Sequence, residues 1–163
     1  MHVTTHDLVE SVRKSRGFLF KHLKGLTPEQ WVWKPYPECK SVVETLKHLV
    51  VDDRFALYAL DAKEATSMDM YEVIGTRVEE EASDDVEALI AMVEHSFEIL
   101  LTTILQRYGN APLDTEITIY GEKHSLAVGI PYLSSEDHYH SGQIAFIRIA
   151  TDPEWNYYSN IYG

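Results

Sequence analysis

The residues with most chemical content are the polar ones that interrupt apolar helical stripes. Leu133, Glu136, His140, Ile144 and Ile147 are spaced by three, four, four and three positions, the interval that lines one face of an α-helix. Glu136 and His140 therefore stand one turn apart on a face otherwise built of Leu and Ile. His138, about 200° round the helix from Glu136, cannot share that face. His48, Asp52, Phe55 and Ala59 form a comparable inward row earlier in the chain. Burying an unpaired carboxylate or imidazole costs on the order of several kcal/mol, so such groups pair or bind a cation. Two imidazoles and one carboxylate from two helices make a chemically sensible ligand set, His48, Glu136 and His140, for a divalent metal. A buried His–Glu hydrogen bond without metal is the competing reading, because an E-x-x-x-H pair alone is a weak motif. Asp52 stays open between a further ligand, a cap on a polar pocket and an ion-pair partner for an arginine such as Arg54. Glu44 fits a helix start better than a site.

The other reactive side chains carry less. His2 and His6 lie at the chain start and read as solvated, His22 and His124 read as surface, and His95, beside Val93 and Phe97, reads as core or boundary. Cys39, the lone cysteine, has only Lys40 as a basic neighbour, so nothing marks it as a nucleophile. No G-x-S-x-G, P-loop or G-x-G-x-x-G sequence occurs, which removes the common hydrolase and nucleotide signatures.

Four long amphipathic segments must position these residues. The first follows Thr4 and Thr5 and ends near Gly25. A short turn of helix opens at Thr27-Pro28-Glu29-Gln30, where a capping residue, a first-turn proline and a capping-box Gln coincide. Ser41 and Glu44 form a second capping box and start a helix that runs to about Ala62. Residues 63–83 read as a polar connection, with the acidic run Glu79-Glu80-Glu81 as solvated surface. Val86, Leu89, Ile90, Val93, Phe97, Leu100, Leu101 and Ile104 make the clearest stripe, stopped at Gly109. Glu116–Tyr120 alternates at period two before Gly121 and predicts a short extended stretch or hairpin. The fourth helix starts near Pro131 and runs to about Ala150, where Asp152-Pro153 ends it. The aromatic tail from Trp155 to Tyr162 should pack on the body. The expected fold is all-α: a four-helix bundle with longer crossover connections and a short β-hairpin before the last helix.

Composition bounds the function. The 163 residues suit a single domain, 1–163. With 14 Lys+Arg against 26 Asp+Glu, the formal net charge is −12, which argues against nucleic acid and against anionic lipid as partners. No apolar run is expected to approach the roughly 18 residues of a membrane span, and the first residues show no signal pattern. One cysteine cannot close an internal disulfide, so the expected compartment is the cytoplasm.

The segments Ser41-Val42-Val43-Glu44-Thr45-Leu46-Lys47-His48-Leu49 and Tyr139-His140-Ser141-Gly142-Gln143-Ile144, with Leu26-Thr27-Pro28-Glu29-Gln30-Trp31 and Asp152-Pro153-Glu154-Trp155, resemble the DinB-like metal-binding helix bundles. That resemblance covers nearly the whole chain and implies a four-helix bundle, often a homodimer, holding a divalent metal through three His. The implied ligands fall on His48 and His140, while the third family His falls on Glu136, where this sequence departs. Glu136 keeps the i, i+4 geometry, and a carboxylate there adds Fe or Mn to Zn and Ni as candidate metals. The resemblance further implies a small-molecule substrate and a thiol S-transferase using a low-molecular-weight thiol. A non-catalytic metal-binding or stress-associated dimeric bundle is the alternative.

Overall fold

The computed structural model describes residues 2–61 and 68–163. Its long helices are α1 (Thr5–Leu23), α3 (Val42–Asp61), α5 (Val86–Tyr108) and α7 (Ser134–Thr151). Shorter elements connect and follow them: α2 (Pro28–Val32), α4 (Met68–Glu81), strands β1 (Glu116–Ile119) and β2 (Glu122–Ser125), α6 (Leu126–Tyr132) and α8 (Tyr157–Tyr162). Helices α1 and α3 each pack on both α5 and α7, so α1 and α3 stand at opposite corners of an all-α bundle.

Local chemistry sets the helix starts. Thr4 and Asp7 form a capping box at α1, Thr27 and Gln30 do so at α2, and Ser41 and Glu44 bond reciprocally ahead of α3. Glu44 is thus accounted for by the helix start. At the far end of α1, Arg148 of α7 donates to the carbonyls of His22 and Lys24, satisfying acceptors that the helix leaves open. The hairpin turns on Tyr120 and Gly121, with φ of 50° and 83°, the left-handed pair that two-residue hairpin turns require. This turn brings Ile117 and Ile119 into the core beside α6.

Several expectations need revision. The segment read as a polar connection contains α4, because Tyr71, Ile74 and Val78 share one helical face; Ile74 and Val78 are buried in the same cluster as the inner face of α3. In its acidic run, Glu79 and Glu81 are exposed but pair with Lys47 and Arg54 of α3. The expected end of the second long helix at Ala62, and the start of that connection, lie outside the described residues. The last long helix starts close to Pro131 as expected, at Ser134, but a separate short helix precedes it: α6 holds Pro131 within it, and α7 follows with Ser134 Oγ donating to the Pro131 carbonyl. Finally, α5 is long and apolar enough to cross a membrane, with mean hydropathy 1.6. Glu94 and Glu98 interrupt it, so its apolar character is not carried by one unbroken apolar run. One of its faces is buried core, from Leu89 to Ile104.

The tail packs as expected. Ile161 is buried, Lys21 donates to its carbonyl, and Tyr157 and Tyr162 ring α8 around Phe18 and His22. His22 is consequently buried, not on the surface; its Nδ1 donates to the Phe18 carbonyl. His124 is also largely covered, packed against Tyr132. His95, by contrast, is exposed on α5, because Ser96 and Phe97 take the inward positions.

Candidate metal centre

Helices α3 and α7 meet with their polar interruptions facing each other. His48, Asp52, Glu136 and His140 each offer one donor atom, and these atoms lie within 4.8 Å of one another. The two imidazoles stand nearly perpendicular, with ring centroids 5.2 Å apart. All three ligand positions expected from the sequence, His48, Glu136 and His140, are therefore brought together. Asp52 joins them, and Arg54 does not claim it, since Arg54 bonds Glu81. His138 points away and bonds the Ser134 carbonyl.

Hydrogen bonding fixes where the free lone pairs lie. His140 is 2% exposed, and its Nδ1 donates to Gln143 Oε1 at 2.7 Å. Its Nε2 is then an acceptor, buried without a hydrogen-bond partner. The nearest Glu136 oxygen lies at 3.5 Å, too far and too poorly aligned for the buried His–Glu hydrogen bond. On α3, the Tyr71 hydroxyl donates to Asp52 Oδ1 at 2.7 Å and accepts from His48 Nδ1 at 3.0 Å. His48 Nε2 is left as an acceptor facing Asp52 Oδ2 at 3.2 Å, where the one hydrogen available is that of a protonated Asp52.

Two imidazole nitrogens and two carboxyl groups thus converge from α3 and α7. This donor chemistry fits a divalent cation: imidazole nitrogens with outer N–H groups already anchored, plus carboxylate oxygens. Electrostatics agree. Burial pushes the His48 imidazolium down to about 4, aided by the fields of Lys40 and His140. Burial pushes the Asp52 carboxyl up to about 7. At neutral pH the imidazole of His48 is unprotonated and ready to ligate.

The cluster opens to a pocket of about 710 Å³, where His48 and His140 are flanked by Cys39, Lys40, Tyr139 and Phe146. Behind it lies a smaller cavity of about 290 Å³, lined by Tyr71, Tyr120 and Tyr132 beside Asp52 and Glu136.

Two functional residues escaped the sequence reading. Tyr71 comes from α4, and only its spacing with Ile74 and Val78 hints that it faces α3. Gln143 stands three residues after His140, one turn along the same helix, which is the signal for its role.

Comparison with curated proteins finds no match to this chain. The family comparison does: residues 12–144 match the DinB superfamily. That span contains His48, Asp52, Glu136 and His140 and covers most of the chain, which therefore belongs to the DinB superfamily.

Proposed function

We propose that this protein is a divalent-metal-dependent thiol S-transferase acting on small electrophiles, with His48, Glu136 and His140 as ligands and Asp52 as the fourth donor. The observation that carries the reading is the buried, unpartnered Nε2 of His140, converging with three other donors at the floor of a pocket large enough for a small molecule. When bound, the metal stabilises thiolate over thiol and holds it in place. Zn or Ni is the first candidate and Fe or Mn the next, because two carboxylates beside two imidazoles suit all four.

The chain's own residues do the rest. Gln143 locks His140 in the tautomer that presents Nε2, and Tyr71 does the same for His48 while tethering Asp52. Lys40 offers a cation at the pocket wall to an anionic group of the thiol, and Tyr139 and Phe146 give the same wall apolar surface for the electrophile. In the reaction the thiol sulfur forms a bond to the electrophilic carbon, the thiol proton leaves to solvent or base, and the leaving group departs with its electron pair. The same reading has the chain work in the cytoplasm as a homodimer, supported by the exposed Tyr139, Phe146 and Ile149 on the outer side of α7.

Untagged protein analysed for metal, then assayed with bacillithiol, mycothiol or glutathione and a chromogenic electrophile, tests the reading. About one equivalent of metal, lost in His48→Ala, together with chelator-sensitive turnover is expected. Metal without turnover favours the non-catalytic metal-binding dimer. No metal in either protein, with melting unaffected by chelator, overturns the metal centre altogether.

A further inference from the structure

Behind the cluster lies a second set of buried charges. Arg16 of α1, 3% exposed, donates both terminal nitrogens to Asp53 of α3, each at 3.0 Å, and its Nε to Asp137 of α7. Ser96 of α5 adds a hydrogen bond to Asp53, and the guanidinium lies 3.9 Å over the Phe97 ring. One cation thus binds all four long helices.

The sequence positions of its partners matter. Asp52-Asp53 on α3 and Glu136-Asp137 on α7 are two pairs of adjacent acids. Adjacent helical residues point about 100° apart. In each pair the first acid faces the His48–His140 cluster, and the second clasps Arg16. Rotating either helix far enough to move its cluster carboxylate would pull the neighbouring aspartate off the guanidinium. The bidentate fork tolerates little such rotation, because its planar geometry fixes direction as well as distance. We propose that Arg16 is a positioning residue for the metal centre: by clasping Asp53 and Asp137 it fixes the rotation of α3 and α7 that makes Asp52 and Glu136 converge. This inference rests on the proposed metal centre but concerns residues that touch no ligand.

The test compares three variants with wild type. The triple variant Arg16→Met, Asp53→Asn, Asp137→Asn removes the clasp without leaving a lone buried charge, and Arg16→Lys keeps the charge but loses the fork. Arg148→Met is the control: Arg148 is equally buried and also joins α7 to α1, yet it lies two turns beyond His140. Two readouts are taken: Co(II) affinity with its visible d–d spectrum, and the imidazole nitrogen resonances of His48 and His140 in metal-free protein. The triple variant is expected to bind Co(II) roughly 10–100-fold more weakly, as loss of support around ligands typically does, with shifted d–d bands and shifted imidazole resonances. Arg16→Lys should fall between, and Arg148→Met should melt lower with affinity and spectra unchanged. A folded triple variant whose Co(II) affinity, spectrum and resonances match wild type overturns the inference. Wild type that takes up no Co(II) overturns the metal centre instead, and the metal-free resonances then still decide whether the clasp positions the histidines.

Discussion

At the scale of single residues, the centre is a place where protons are deliberately scarce. Asp52 and His48 have shifts of opposite sign, and the signs decide how stability depends on pH. Between pH 4 and 6.5 the unfolded chain holds a proton on His48 that the metal-free fold lacks, while the fold holds one on Asp52 that the unfolded chain lacks. Those slopes cancel. Above pH 6.5 only Asp52 remains, and stability is lost as pH rises through about 7. Asp52→Asn removes that loss and gives His48 Nε2 a donor. Chelator-treated Asp52→Asn is therefore expected to melt a few degrees above chelator-treated wild type at pH 8, at about 2–4 °C per kcal/mol for a chain this size. The same variant should gain less from added Zn(II) than wild type does. Melting curves at pH 5.5 and pH 8 check both statements, and a lower metal-free Tm at pH 8 would contradict the buried-carboxyl account. His48, Glu136 and His140 were legible because a polar residue on an apolar stripe announces itself through spacing alone. Arg16 carries the same signal, standing between Val12 and Leu19 on the buried face of α1, but a single basic residue with no acid nearby on its own helix face points to no partner. Asp53 and Asp137 gave none, because an acid beside an acid reads as solvated surface until its partner is placed.

Among the elements, those with caps and clean stripes were readable, and the ones held by tertiary contact were not. α1, α3 and α5 announce their starts through Thr4, Ser41 and Asp85. α4 has an acidic sequence, with Gly75 at its middle and Glu79-Glu80-Glu81 at its end, and its place depends on α3. Its stability should then reside in Ile74 and Val78 and very little in its surface ion pairs. Val78→Ala, at a fully buried position, is expected to cost about 1–2.5 kcal/mol through lost transfer energy and a residual cavity. Glu79→Ala breaks the ion pair with Lys47 at 2.6 Å, yet its carboxylate is well exposed, so it should change stability by no more than about 0.5 kcal/mol. Urea denaturation separates the two. Because α4 carries Tyr71, Val78→Ala should also weaken metal binding while Glu79→Ala leaves it unchanged. Equal effects on stability would place the docking energy of α4 in its charges.

For the molecule as a whole, a net charge of −12 leaves the question of where the acids go. Most lie on outer helix faces, but Asp52, Asp53 and Asp137 are buried, and the Arg16 guanidinium pairs with the last two. Asp137 has one oxygen on Arg16 and the other without a partner, and burial pushes its carboxyl up to about 6. Such a network is costly to halve. Arg16→Met alone strands two carboxylates and is expected to cost about 3–5 kcal/mol, a large share of the roughly 5–15 kcal/mol that typically holds a domain together. Adding Asp53→Asn and Asp137→Asn removes the stranded charges and should recover most of that loss, since buried ion pairs hold little net energy over neutral groups of similar shape. Urea midpoints for the single and triple variants, at unchanged m, measure the difference. A triple variant no more stable than Arg16→Met would locate the energy in the stacking of the guanidinium on Phe97 and in its fork geometry, and not in its charge. Recovery of stability would instead assign Arg16 a role in which the bundle can fold without it, and what it contributes is the rotation of α3 and α7.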